Sequence, residues 1–244
     1  MKIAIVTGAN SGIGEAIARR LLDAGYKVYG LYKKQSSITN NNFVGIQFDL
    51  ANLKKYSTIL KVVKENKIDI LINNAGVLFE EDALSANRGS IEKTFDINFF
   101  APIQLTKTLK QKLTGGIVIN ISSVSDRLVG EKYAAYCSSK AALNKYFEVI
   151  AMEEKELKII SILPSYVDTP LLRRMHEGTE FDWTMPMRPD DVAKFICDMT
   201  QDNAKLKSGA KVIVINNKMK EDVEYHEDLW GYNVTTEALI SLKQ

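Results

Sequence analysis

The chain has 244 residues and a formal net charge of +2, from 32 basic and 30 acidic residues. That near-balance lacks the one-sided basic surplus of a nucleic-acid footprint, and two cysteines, Cys137 and Cys197, cannot build a disulfide framework. With 45% hydrophobic and 25% charged residues the composition is that of a globular domain, and no apolar run reaches the ~18 residues of a membrane span. No charged segment, apolar core and cleavage site precede the first apolar run, so no signal peptide is expected and a reducing, cytoplasmic compartment is.

Lys2–Val6 reads as the first strand. It runs into Thr7-Gly-Ala-Asn-Ser-Gly-Ile-Gly14, then into a helix over Ile13–Ala24, where Ile13, Ile17 and Leu21 recur at helical spacing before a stop at Gly25. In such a turn Gly8 permits the sharp bend, Gly12 lets backbone approach a pyrophosphate, and Gly14 lets the helix pack close to the sheet. The spacing is Gly-x-x-x-Gly-x-Gly rather than Gly-x-Gly-x-x-Gly. A strand before it and a helix after it make it a dinucleotide site, with Gly8, Asn10, Ser11, Gly12, Ile13 and Gly14 around the phosphates.

The next strands are Lys27–Tyr32 and Phe43–Asp49. Only the polar stretch 33–42 joins them, shorter than a usual parallel crossover, so a bare loop without a helix is expected. An acid at the end of the second strand would accept from the ribose 2′-hydroxyl of NAD. Here Tyr32 stands there, followed by Lys33 and Lys34, whose charges would attract a 2′-phosphate; NADP(H) is therefore favoured over NAD(H).

Further along, Ile68–Asn73, Gly116–Ile121, Lys158–Leu163 and Ala210–Ile215 read as strands, and Asn52–Asn66, Ile91–Lys112, Ala134–Glu156 and Asp190–Thr200 as helices. The alternation predicts an α/β fold: a single Rossmann-type doubly wound parallel sheet of about seven strands flanked by helices, one dinucleotide-binding catalytic domain over 1–244. Thr169 to Arg188 has few regular signals, and 170–188 is expected to be a substrate lid; 218–244 is a polar and aromatic C-terminal tail that covers the cleft, swaps onto a neighbour or stays disordered.

The helix over 134–156 carries Tyr136 and Lys140, four residues apart and so on one face, with Ser123 thirteen residues before the tyrosine. An ammonium beside a phenol favours the phenolate. Bringing a phenol from ~10 to ~7 takes ~4 kcal/mol, and one charge at ~4–6 Å supplies about 3–4 kcal/mol at an effective dielectric near 20. Lys140 is thus expected to acidify Tyr136 into a general acid/base usable near neutral pH.

At this point the chain resembles the short-chain dehydrogenase/reductase family. The resemblance rests on Thr7-Gly8 through Gly14, Asp49-Leu50, Asn73-Asn74-Ala75-Gly76, Asn98, Ile121-Ser122-Ser123, Tyr136-Cys-Ser-Ser-Lys140 and Pro164 through Thr169, in family order. It implies an oxidoreductase moving a hydride between a nicotinamide cofactor and a carbonyl or alcohol. It implies that Asp49 and Leu50 meet the adenine, that Asn74, Ala75 and Gly76 line the adenosine side, and that Asn73 braces the sheet. It gives Ser123 the substrate oxygen, Tyr136 the proton, Lys140 also the nicotinamide ribose, and Asn98 a water-linked proton path to the lysine. Pro164, Val167 and Thr169 would meet the nicotinamide end. Ser165, where the family usually has glycine, and Ala101, where glycine is also common, depart from the pattern. Relatives commonly pair through helices like those over 91–112 and 134–156, which implies a homodimer or homotetramer. The alternative is a catalytically silent NADP(H)-binding regulatory or scaffold protein of the same fold, disfavoured by the intact Ser/Tyr/Lys set.

Leu171, Leu172, Met175, Phe181, Trp183, Met185 and Met187, with the segment 126–132, stand where substrate contacts arise in relatives. The apolar set fits a substrate with hydrophobic bulk, and equally a buried lid or subunit contact. Arg127, Arg173 and Arg174 face either an anionic substrate or solvent. His176 and His226 have no partners at ligand spacing, and no metal is expected. Cys137 falls on another face of the helix than Tyr136 and Lys140 and reads as packing.

Overall fold

The computed structural model describes residues 1–201, 206–219 and 230–241. Its centre is one nine-stranded sheet in the order β3-β2-β1-β4-β5-β6-β7-β8-β9. Seven strands follow the expected segments: β1 Ile3–Thr7, β2 Lys27–Tyr32, β3 Phe43–Gln47, β4 Ile70–Asn73, β5 Ile117–Ile121, β6 Lys158–Pro164 and β7 Ala210–Ile215, all parallel. Near-continuous apolar strands such as Ile-Ala-Ile-Val suit a sheet buried on both faces.

The count of seven needs correction. β8, Trp230–Asn233, pairs parallel with β7, and β9, Ala238–Ser241, pairs antiparallel with β8. Both lie in the segment read as a tail. Val234–Glu237 turns between them, with Glu237 at φ 50°, a turn conformation. Tyr232 stacks on Phe195 at 3.9 Å, so this addition is packed onto the last helix. The rest of the tail reading, residues 220–229 and 242–244, lies outside the described residues.

The helices are α1 Gly12–Asp23, α2 Ile59–Val62, α3 Arg88–Phe95, α4 Ala101–Leu109, α5 Ala134–Glu153, α6 Pro170–Met175 and α7 Pro189–Gln201. On one face of the sheet Ala4, Val6, Ile17, Leu21, Val192 and Ile196 pack together; on the other Ile5, Leu71, Leu105, Leu143 and Phe147 do. Alternate strand residues thus feed opposite cores. The connection over 33–42 carries no helix, as its polarity implied; Ser37 on it shares Glu15 of α1 with Arg19. The helix expected over 52–66 is shorter, a 3₁₀ stretch Leu53–Thr58 leading into α2.

The helix expected over 91–112 is broken. Between α3 and α4 the residues Asp96–Phe100 form a π turn, with the Ala101 N–H donating to the Asp96 carbonyl five residues back. Pro102 explains it: proline has no N–H for the carbonyl of Asn98, so a regular α-helix cannot continue there.

Strands β1 and β4 are neighbours, while the chain leaves β1 toward β2 on one side and continues from β4 to β5 on the other. In open α/β sheets this switch point makes a crevice at the carboxyl ends of the strands.

Candidate active site

A cleft of about 380 Å³ opens at that crevice. Gly8, Asn10, Ser11, Gly12 and Ile13 line it after β1, Tyr32 and Lys33 after β2, and Asp49 and Leu50 after β3. Asn74, Ala75 and Gly76 line it after β4, Ser123 after β5, and Pro164, Val167 and Thr169 at the end of β6 and beyond. Tyr136 and Lys140 enter from α5. Of the catalytic and cofactor-binding residues expected, only Gly14 and Asn98 do not line it.

The glycine turn is built for close approach. Gly8 and Gly12 have φ of 68° and 55°, the region that favours glycine, and a Cβ on Gly12 would lie 3.1 Å from the Thr169 side chain. A Cβ on Gly14 would overlap the Gly8 carbonyl and the Asn74 amide, so Gly14 holds helix against strand and stays out of the cleft. Ser11 caps α1 without a side-chain hydrogen bond, which leaves first-turn amides available to an anion. Thr7 ties this turn to the next: its hydroxyl accepts from the Asn74 and Ala75 amides at 2.9 and 3.0 Å, and its carbonyl accepts from Asn74 Nδ2 at 2.8 Å. The uncapped amides, glycine cradle and switch-point position fit a dinucleotide phosphate. Asn73 donates to Asn120 Oδ1 across the buried sheet at 2.9 Å, the bracing role expected of it.

At the adenosine end Lys33 Nζ and Asp49 Oδ2 form an ion pair of 2.7 Å, and this lysine holds the carboxyl below the usual range. The Tyr32 hydroxyl lies against the Gly45 backbone of β3, where a Cβ would collide with it. Sequence spacing gave no sign that Lys33 and Asp49 meet.

At the other end, Lys140 is buried and donates to the Ile121 carbonyl at 2.9 Å, with its ammonium 5.6 Å from the Tyr136 ring centroid. Burial pulls its pKa down to about 8. Burial also pushes the Tyr136 phenol up to about 12, opposed by a hydrogen bond with Ser123. Burial, which disfavours the phenolate, is the leading cause and acts opposite to the acidification expected from Lys140, whose ammonium is held at a backbone carbonyl. Ser123 Oγ accepts from the Ser125 amide and donates to the Ser125 hydroxyl, both at 3.1 Å. Ser122 also reaches the cleft wall, but its buried hydroxyl has no partner among the described residues.

Asn98 sits in the π turn, buried, with its side chain clasping Val77: Oδ1 accepts from the Val77 amide and Nδ2 donates to the Val77 carbonyl, each at 2.9 Å. Nδ2 also donates to Ser139 Oγ at 3.0 Å, one helical turn from Tyr136. The side chain thus holds the strand-end loop against α5, and both amide protons are engaged.

Tyr166 to Asp168 and Met187 zip the ends of the segment 170–186 together, through Met187 N–H to the Tyr166 carbonyl at 3.0 Å and Asp168 N–H to the Met187 carbonyl at 2.9 Å. Leu171, Leu172 and Met175 line the cleft. Phe181, Trp183, Met185 and Met187 do not: Phe181 stacks on His176 at 3.9 Å and meets Trp183 at 4.9 Å, and Met187 is core. Ser165 is held by its amide on the Val214 carbonyl at 3.0 Å. Phe48, Val77, Ile97, Ser125 and Tyr166 line the cleft and escaped the sequence reading. Adjacency to Asp49, Gly76, Asn98, Ser123 and Val167 was the available signal. Among the described residues no three His, Cys, Asp or Glu side chains gather as a metal site. His226 lies outside them.

The family profile described as short chain dehydrogenase matches residues 2–180. The chain belongs to the short-chain dehydrogenase family. It is an NAD(P)-dependent oxidoreductase of that family, with hydride transfer to or from a nicotinamide cofactor as its chemistry. Among its relatives, an uncharacterized oxidoreductase of Saccharomyces cerevisiae is 32% identical over 72% of this chain and 75% of that protein. A benzil reductase of Bacillus cereus is 30% identical over 75% of this chain and 83% of its own. The solved structure of 4-hydroxyisoleucine dehydrogenase complexed with NADH superposes with a TM-score of 0.71 at 29% identity, over 87% of this chain and 96% of the other. No described helix is long and apolar enough to cross a membrane.

Proposed function

We propose that this dehydrogenase is an NADP(H)-preferring carbonyl reductase in which Tyr136 is the general acid/base. The observation that carries the reading is one cleft lined by Ser123, Tyr136 and Lys140 and by the glycine turn. A bound nicotinamide supplies the hydride in reduction and takes it in oxidation. Tyr136 gives its phenolic proton to the substrate oxygen in reduction, and a phenol pushed up to about 12 is fully protonated and ready to donate at neutral pH. Ser123 holds the substrate oxygen beside the phenol and stabilises the charge that develops on it. Lys140, fixed by the Ile121 carbonyl, faces the ribose side and replaces the proton that Tyr136 spends.

Gly8, Asn10, Ser11, Gly12 and Ile13 hold the pyrophosphate, with Gly14 setting the helix behind them. Asn74, Ala75 and Gly76 line the adenosine side, and Asp49 and Leu50 meet the adenine. Pro164, Val167 and Thr169 take the carboxamide end. Tyr32 and Lys33 stand at the ribose, and the absence of an acid at position 32 supports NADP(H). Asn98 organises the lysine side by fixing Val77 and Ser139.

Residues 170–188 act as the substrate lid of one catalytic domain, with Asn216 just after β7 and Lys218 at the start of the tail pinning it to the Met185 and Thr184 carbonyls. Subunits pair through α4 and α5, a reading supported by exposed Phe100, Tyr146, Val149 and Met152 on that side.

The test is NADPH- and NADH-dependent turnover of a broad ketone and diketone panel. Benzil is the first diketone to try, given the name of the Bacillus cereus relative. Turnover with NADPH that vanishes in Tyr136→Phe supports the reading. Full activity in Tyr136→Phe, or a preference for NADH, removes the corresponding part of it.

A further inference from the structure

Of the four charged side chains that line the cleft, Lys33, Asp49, Lys140 and Arg174, only the last has no partner among the described residues. Arg127 forks onto Asp126 at 2.8 and 2.9 Å. Arg173 forks onto Asp168 at 2.7 and 2.8 Å and lies over Trp183. Lys140 is spent on the Ile121 carbonyl. Arg174, the next residue of α6, is exposed, lines the cleft and has no hydrogen-bond or ion-pair partner among the described residues. The single carboxylate that lines the cleft there, Asp49, is at the adenosine end and already holds Lys33.

Helical spacing explains why two adjacent arginines differ. Leu171, Arg174 and Met175 stand at i, i+3 and i+4 among the α6 residues that line the cleft, and Arg173 is the one residue of α6 that does not line it, its fork turned to Asp168. A planar, permanently charged fork thus stands between apolar neighbours. A neutral ligand packed there would strip water from the guanidinium and return no partner, whereas a carboxylate would satisfy two of its N–H groups at once.

We propose that Arg174 is a substrate-binding residue that takes a carboxylate, and that the substrates are oxo acids or hydroxy acids with an aliphatic stretch between the acid and the reacting carbon. This rests on the hydride-transfer reading and specifies its substrate class. Leu171 and Met175 carry the aliphatic stretch; Ser123 and Tyr136 take the reacting oxygen.

The experiment uses the protein loaded with NADPH and titrates it with 4-oxopentanoate through 7-oxooctanoate, each against its own methyl ester. Binding is read by calorimetry and turnover by NADPH oxidation. At least one acid is expected to bind about three- to fivefold more tightly than its ester, the upper part of the range for an exposed charge pair. In Arg174→Met that ratio falls to about one, with NADPH affinity unchanged, and Arg174→Lys recovers part of it. Circular dichroism of each variant checks folding. Equal binding of acid and ester by the unmodified protein overturns the proposal. So does an unchanged ratio in Arg174→Met, including the case where NADPH affinity falls instead, because the fork then serves the cofactor's phosphates. Selective binding of an acid without turnover upholds the carboxylate site and counts against hydride transfer to these compounds.

Discussion

Lys33 Nζ lies 2.7 Å from Asp49 Oδ2, so the residue expected to attract a 2′-phosphate and the residue expected to meet adenine neutralise each other across the adenosine end. Both are exposed, and the pair by itself adds little to stability. Its consequence is for cofactor choice. A 2′-phosphate placed there would compete with Asp49 for the ammonium.

The first prediction follows. Lys33→Asp weakens NADPH by about tenfold or more and NADH far less, because a carboxylate repels the 2′-phosphate. Asp49→Asn moves the ratio the other way, since Lys33 is then released to the phosphate. Dissociation constants for both cofactors check this; equal losses for both cofactors would remove Lys33 from the assignment.

Tyr136 and Lys140 differ in what their removal does. Tyr136→Phe keeps the ring and loses the proton, so turnover drops by about 10²–10⁴ while cofactor affinity holds. Lys140→Met lowers turnover and weakens cofactor binding together. Below pH 10 the alcohol-oxidation rate of the unmodified enzyme rises with pH, because a phenol pushed up to about 12 is deprotonated only in a fraction that grows with pH. Steady-state kinetics across pH, with separate cofactor titrations, distinguish the two variants.

Burial holds Lys140 at about 8 against an ordinary 10.5. Between those values the unfolded chain binds the proton and the folded chain does not, so stability without added cofactor rises as pH goes from about 8 to 10.5. Below pH 8 both states are protonated and the cost of the buried charge is paid in full. Lys140→Met should abolish the rise and stabilise the fold at neutral pH. Urea unfolding at several pH values measures it; an identical rise in the variant would assign it to another group.

Asn98→Ala strands the Val77 N–H and C=O and cuts the link to Ser139. Val77 is half-buried beside the cleft, so the loss should fall near the low end of about 1–3 kcal/mol per unpaired group, about 2 kcal/mol in all. Activity should fall as well, because Val77 lines the cleft. Thermal unfolding and kcat on the same preparation test whether the two losses go together.

Much of this fold was legible because its signals are local. Apolar runs of strand length, helical spacing in Ile13, Ile17 and Leu21, and a polar stretch over 33–42 each report on a few neighbouring residues. The cleft was legible for a related reason: strand-end motifs of a doubly wound sheet meet at one edge, so Gly8, Asn74, Ser123 and Thr169 converge wherever that sheet forms. Pro102 is the visible signal for the break in the helix over 91–112.

The amino-acid order alone determined the parallel strands, the glycine turn and the shared helical face of Tyr136 and Lys140, since sterics and periodicity act over a few residues. Folding decided the rest. It joined Lys33 to Asp49, turned the Lys140 charge to Ile121 and the Asn98 amide to Val77, added β8 and β9 from the tail, and paired Arg173 while giving Arg174 no partner among the described residues. Those outcomes depend on which groups meet across long chain separations and how much water remains beside them, and local sequence encodes neither.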